Sequence, residues 1–134
     1  MALVVPNDGE EDLLKAGLNH TAMSNIVLKL FQSNTTPAET DTAATYTEAT
    51  WTGYSAATLT GASWTITPGA PSSAAYAIQT FTSTAGSQNQ ANYGYFCVRA
   101  TGGRIAWAER FPSGPYTIAD TNDNIKVTPT FTAD

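Results

Sequence analysis

From Tyr93 to Phe131 the chain reads YGYFCVRATGGRIAWAERFPSGPYTIADTNDNIKVTPTF. Short runs alternate apolar and polar residues, and Gly, Pro, Asn or Asp closes each of them within a few positions. A period of two with turns this frequent is the pattern of antiparallel β structure in a sandwich or barrel. Its clearest part is a hairpin, Tyr93 to Ala100 followed by Arg104 to Phe111. The Gly102-Gly103 pair supplies the positive φ values a tight turn demands. Alternation places Ile105, Trp107 and Phe111 toward the core and Arg104 and Arg110 outward. Glu109, beside Trp107, is expected to pair with Arg99 on the neighbouring strand.

Other strands are expected at Asn25 to Phe31, within Trp51 to Thr60, at Ser63 to Thr67, at Ala75 to Thr82, at Tyr116 to Ile118 and at Asn124 to Phe131. Pro68-Gly69-Ala70-Pro71 forms a turn, and Ser83 to Ala91 reads as flexible and polar. Pro129 lacks an N–H donor, so the last strand should lie at an edge or carry a bulge. Ser33 to Thr50 reads as a long loop with a short edge strand around Tyr46, and a loop of that length often meets a partner. Residues 1–24 differ in character. Asn7 or Asp8 can cap a helix of about three turns, with Glu10 or Glu11 closing a capping box. Leu14 and Leu18 fall on one helical face, and Gly17 and Asn19 weaken or end the helix. The apolar tip Leu3-Val4-Val5 either covers the chain's own core or adds to a partner's sheet edge. The fold expected is a 1–24 arm followed by one all-β domain over 25–134, a jelly-roll-like antiparallel sandwich of about eight strands.

Charge and residue chemistry narrow the function. Asp, Glu, Lys and Arg make up only 13% of the 134 residues. A surface so poor in charge suggests that part of it is covered. The net charge is −5, four of the negatives are Asp8, Glu10, Glu11 and Asp12, and the six basic residues are scattered. Nucleic acid is therefore not an expected partner. Cys97 and His20 are the single cysteine and histidine, which leaves neither a disulfide framework nor a thiolate–histidine metal set. No metal and no cofactor are expected. No apolar run has the length of a bilayer span, and Met1 to Val5, followed at once by Pro6 and acids, does not read as a signal peptide. The oxygen-rich Asp120-Thr121-Asn122-Asp123-Asn124 reads as a turn rather than a calcium loop, because the EF-hand Gly and Glu are missing. Glu39, Asp41, Glu48 and Glu109 are the carboxylates a glycosidase would need to gather. Trp51, Tyr54, Tyr93 and Tyr95 could form a sugar-binding platform if exposed together, against the commoner reading of core aromatics. The sequons Asn19-His20-Thr21 and Asn34-Thr35-Thr36 read as chance matches without a secretory leader.

Taken in order, several segments resemble small virion proteins of tailed phages. They are VVPNDGEEDLLKAGLN, NIVLKLFQSNTTPAETDTAATYTEAT, GYSAATLTGASWTI, AYAIQTFTSTAG and the stretch from Tyr93 to Phe131. The resemblance covers nearly the full length and rests on pattern and order, not on a catalytic motif. It implies a non-enzymatic capsid decoration or cement protein on the outer shell of a virion, made in the host cytoplasm. It further implies a homotrimer bound to the major capsid protein. Leu3, Val4, Val5, Leu14, Leu18, Pro37 and Tyr46 are the expected partner contacts, since the arm and the 33–50 loop are the natural grips. The alternative is a tail or fibre component binding a host glycan. A free-standing carbohydrate-binding module ranks third and an enzyme last.

Overall fold

A computed structural model describes residues 3–20 and 22–133, and β-strands dominate it. The described residues form one helix, α1 (Asn7–Leu18), and eleven short strands: β1 (Ile26–Phe31), β2 (Ala57–Leu59), β3 (Thr65–Thr67), β4 (Ser72–Ala75), β5 (Gln79–Thr82), β6 (Gln90–Asn92), β7 (Gly94–Arg99), β8 (Ile105–Arg110), β9 (Tyr116–Ile118), β10 (Asn124–Val127) and β11 (Thr130–Ala133). All named pairings are antiparallel, and the fold is an all-β, sandwich-like one.

One sheet organises the rest. Its order is β2-β1-β7-β8, with all of β1 paired to all of β7. Leu28 and Leu30 from β1, Tyr95 and Cys97 from β7 and Trp107 from β8 enter the main core. Phe81, Ile118, Ile125 and Val127, from the smaller β10-β5 and β6-β9 pairs, meet them there. On the opposite face Phe31, Phe96, Val98, Ile105 and Ala108 gather with Tyr46 in a second cluster. Burial on both faces explains why β7 is buried along its whole length and why its apolar run is continuous.

The hairpin turns where expected, with Gly102 at φ 83° and Gly103 at φ 65°. Its faces differ from the expected ones. Cys97 pairs with Trp107 and Val98 with Ile105, so Ala106 is an extra residue in β8. Such a bulge reverses the alternation. Trp107 therefore joins the main core while Ile105 joins the second cluster.

Two expected strands are each divided. Ala75 to Thr82 breaks at residues 76–78 into β4 and β5, and Asn124 to Phe131 breaks at residues 128–129 into β10 and β11. β5 pairs with β10 and β4 with β11. Pro129 cannot donate, but its carbonyl accepts the Tyr76 N–H at 2.9 Å, so both strands bend at one level. β11-β4-β3 thereby forms a separate three-stranded sheet. Gln90–Asn92, at the end of the stretch expected to be flexible, is instead the strand that pairs with β9.

The 33–50 loop is ordered by its own side chains. A single 3₁₀ turn, Ala43–Thr45, is closed by reciprocal Thr42–Thr45 hydrogen bonds. Asp41 Oδ2 accepts the Ala38 N–H and the Tyr46 hydroxyl, the latter at 2.6 Å. A bridge between Phe31 and Glu48 is what the expected edge strand amounts to.

Residues 3–18 lie along the open side of β8. Val4 and Ala108 exchange backbone hydrogen bonds at 2.9 Å in both directions. Further along, a Cβ on Gly9 would stand 2.1 Å from the Ala106 carbonyl oxygen, so the helix backbone lies directly on the strand. The helix cap differs from the expected one. Pro6 is the N-cap and its carbonyl accepts the Gly9 and Glu10 N–H groups, whereas no side-chain oxygen caps the helix. The Asn7 N–H is instead donated to the Glu39 carbonyl, which takes Asn7 away from the capping geometry.

Candidate interaction surface

The arm and the loop reach very different ends. Leu3 and Val5 pack against the main core, and Val4 adds to the chain's own sheet edge. Pro37 is buried, and Tyr46 is 5% exposed, stacked on Phe96 with ring centroids 5.1 Å apart. These five residues are committed to the fold. Leu14 and Leu18 are not: they stand 60% and 74% exposed on the outer side of α1. Helical geometry accounts for this, because Gly9 faces β8 and the residues one turn on from it follow the same side.

Charge rather than apolar burial fastens the helix. Arg104 Nη2 donates to Asp8 Oδ1 at 2.8 Å and to Glu11 Oε2 at 2.6 Å, and Arg104 Nη1 lies 3.5 Å from Asp12 Oδ1. Lys15 donates to Glu11 from one turn away. Hydrogen bonds from Lys15 and then Arg104 hold the Glu11 carboxyl down to about 2. Arg99 sits deeper, at 6% exposure. The expected Arg99–Glu109 pair does not form, because hairpin register sets Glu109 opposite Tyr95 and leaves Arg99 at the far end. Arg99 Nε is 2.7 Å from Asp12 Oδ2, so its partner is the helix carboxylate in a buried ion pair.

Beside this seam lies an apolar groove of about 360 Å³. One wall is Gly9 and Leu13 of α1 with Met23; the other is Trp64, Ile66 of β3 and Phe131 of β11. Ile66 and Phe131 both stand opposite Ala74 in the three-stranded ladder, which puts these three in one row. Trp107, Ala106 and Arg99 also line it. Ile66 is 65% exposed, and Leu13, Met23 and Ile78 are also solvent-facing. From Ala49 to Val98 the chain carries no Asp, Glu, Lys, Arg or His. The surface built from β2 to β6 is consequently charge-free, while the charges lie on α1, at Lys29 of β1, on the 39–48 loop and on the segments from Arg99 onward.

The carboxylates singled out in the sequence are held apart on separate structural tasks. Glu109 accepts the Tyr95 hydroxyl at 2.6 Å, and burial followed by this carboxylate pushes the Tyr95 hydroxyl well above its usual range. Glu48 pairs with Lys29 at 2.8 Å and accepts the Tyr54 hydroxyl at 3.1 Å. Asp41 holds Tyr46, and Glu39 is exposed. The four aromatics form no flat platform, since Trp51 and Tyr95 are buried and Tyr54 stacks on Phe81. Residues 120–124 form a turn in which Asp123 Oδ2 accepts the Ala119 and Asp120 N–H groups, and these bonds lower the Asp123 carboxyl. Among the described residues no three His, Cys, Asp or Glu side chains gather as a metal set, and no helix is long and apolar enough to cross a membrane.

Leu13, Met23, Ile66 and Ile78 were missed as surface residues. Residue type does not mark any of the four as exposed; the packing around each decides it. The missing charge between Glu48 and Arg99 is the one signal in the sequence that could have located this face. No family model matches the chain, and no curated protein or solved structure matches it either.

Proposed function

We propose that this protein is a non-enzymatic virion component, a decoration or cement protein that sits on the outer shell of a phage capsid and bridges neighbouring capsomers. The observation that carries this reading is the exposure of Leu14 and Leu18 on the outer side of α1 and of Ile66 on the charge-free surface of the small sheet, on an otherwise well-buried β body. Apolar side chains displayed in this way lose hydration cost when another protein covers them. A rigid body with the arm folded onto its own edge strand also suits a part that must bear load without rearranging. The grips in this reading are the outer face of α1 and the neutral sheet; the tip Leu3-Val4-Val5, Pro37 and Tyr46 act inside the subunit. Trimerisation would multiply weak contacts by raising effective concentration at the second and third sites.

Quantitative mass spectrometry of purified particles tests the reading. A copy number of about one per shell subunit, or a simple fraction of it, is expected for lattice-wide cement. A trace ratio would move the protein to a tail or fibre, and absence from particles would overturn the proposal. Leu14→Ser with Leu18→Ser should weaken capsid binding while leaving the isolated protein folded.

A further inference from the structure

The β11-β4-β3 sheet ends on one side at β3, whose one strand partner among the described residues is β4. Thr65, Ile66 and Thr67 are all exposed. In an antiparallel ladder an edge strand turns half of its N–H and C=O groups away from its neighbour. Among the described residues no loop backbone bonds to β3 from that outer side, and the side-chain bonds flanking it stop at Gly61 and Gly69. The open side of β8 is treated differently, because Val4 of the chain's own arm pairs with it. Devices that keep an edge from pairing are missing at β3: it holds no charge and no proline, and its register with β4 has no bulge.

We propose that β3 is a self-pairing edge: two copies of this chain join β3 to β3, antiparallel about a two-fold axis, and their three-stranded sheets become one sheet of six. The strand is complementary to itself. Thr65-Ile66-Thr67 reads the same in both directions, so the axis sets Ile66 opposite Ile66 and each Thr65 opposite a Thr67. Pairs of β-branched residues facing each other in this way stabilise an antiparallel ladder. The row Phe131, Ala74, Ile66 then runs on into its own copy, and Ile66, 65% exposed in the single chain, is covered. Charge selects the same partner. The chain carries −5 overall, yet β3, β4 and β11 hold no charged residue, so two copies meet here without like charges in contact. A strongly charged partner finds nothing on this edge to pair with. A strand this short supplies about two to four backbone hydrogen bonds, which makes the pair a weak one, with Kd on the order of 100 µM. The inference goes beyond the virion reading, because it concerns the purified subunit alone.

Sedimentation velocity on the purified full chain, from about 10 µM to about 1 mM, tests the pairing. At the upper end the wild type should reach an assembly of twice the mass that Ile66→Lys reaches. That substitution sets two ammonium groups face to face and should weaken the pair at least about tenfold. Added salt should tighten the wild-type pair, because it screens the repulsion between two net-negative copies and the contact itself has no charges to screen. Register is read by cross-linking. Ile66→Cys should oxidise to a covalent dimer at least about tenfold faster than Thr101→Cys, which is equally exposed but lies in the hairpin turn. The native thiol of Cys97 is buried and stays out of the reaction. Equal masses for wild type and Ile66→Lys, a pair that salt loosens, or equal cross-linking at positions 66 and 101 would each overturn the proposal.

Discussion

The β2-β1-β7-β8 sheet and the β11-β4-β3 sheet belong to one chain but are constructed on opposite plans. The first has six-residue strands at its centre, is covered on both faces, and draws its side chains from Leu, Ile, Phe, Trp and Cys. The second has three- and four-residue strands of Thr, Ser and Ala apart from Ile66 and Phe131, and β3 is exposed along its whole length. Burial of apolar area is the main stabilising contribution in a fold of this size. It follows that the larger sheet carries the stability and the smaller one is free to present a surface. The seam where α1 meets β8 joins the two plans: a close backbone contact at Gly9, one buried ion pair, and an outer ring of exposed ones.

Substitutions that load one plan and spare the other put this division to the test. Leu28→Ala, at a fully buried position of the large sheet, should cost about 2 to 5 kcal/mol in urea unfolding, the usual range for a core leucine. A loss below about 1 kcal/mol would mean that stability is shared more evenly than burial implies. Asp12→Ala leaves Arg99 buried without its counter-charge. About 3 kcal/mol should be lost, read by the same unfolding curve. Arg104→Ala removes contacts that are one-third or more exposed at Arg104, Asp8 and Glu11, together with a longer one to Asp12 at 3.5 Å. It leaves Asp12 paired with Arg99, so global stability should fall by less than about 1 kcal/mol.

The outer ring also has a pH signature. The folded Glu11 carboxyl titrates at about 2 against an ordinary 4.5. A carboxyl with a depressed value contributes stability that is complete above 4.5 and disappears as pH falls toward 2. An NMR titration of the Glu11 side chain should find that low midpoint and, in Arg104→Ala, a midpoint moved up toward the ordinary value. An unmoved midpoint would remove Arg104 from the fastening of α1. The smallest effect is expected at the other extreme of the molecule: Ile66→Ser should leave the unfolding midpoint within about 0.5 kcal/mol of wild type.

Much of the large sheet was legible in the sequence, because its information is local. The Gly102-Gly103 turn fixes the hairpin, and alternation in Asn25 to Phe31 fixes β1 and its two faces. What failed was non-local or depended on a single inserted residue. The extra Ala106 turns Ile105 to the opposite face from Trp107, and nothing in the local pattern announces a bulge. The breaks at 76–78 and 128–129 are set by each other, through the Tyr76–Pro129 hydrogen bond, so neither strand alone contains them. Arg99 meets Asp12 and not Glu109 because the register set by the turn places Glu109 opposite Tyr95. Of the expected partner contacts, Leu14 and Leu18 are displayed while Val4, Pro37 and Tyr46 serve the fold. An apolar residue in a polar segment can plug a hole or stand exposed, and only the rest of the structure distinguishes them. The groove was not legible at all, since its walls come from both ends of the chain and its middle.

Cys97 sits at the centre of β7, fully buried and facing the main core, where burial raises its thiol well above the ordinary range. Only the thiolate reacts at a useful rate, and here it cannot form until the sheet parts. The chain therefore contains its own clock for opening. In excess thiol reagent, the labelling rate of Cys97 divided by that of the unfolded chain gives the fraction of molecules whose central strands are separated at any instant. A change at Arg104 or Ile66 that loosens only the periphery should leave this clock running at its original pace, whereas a change at Leu28 should speed it.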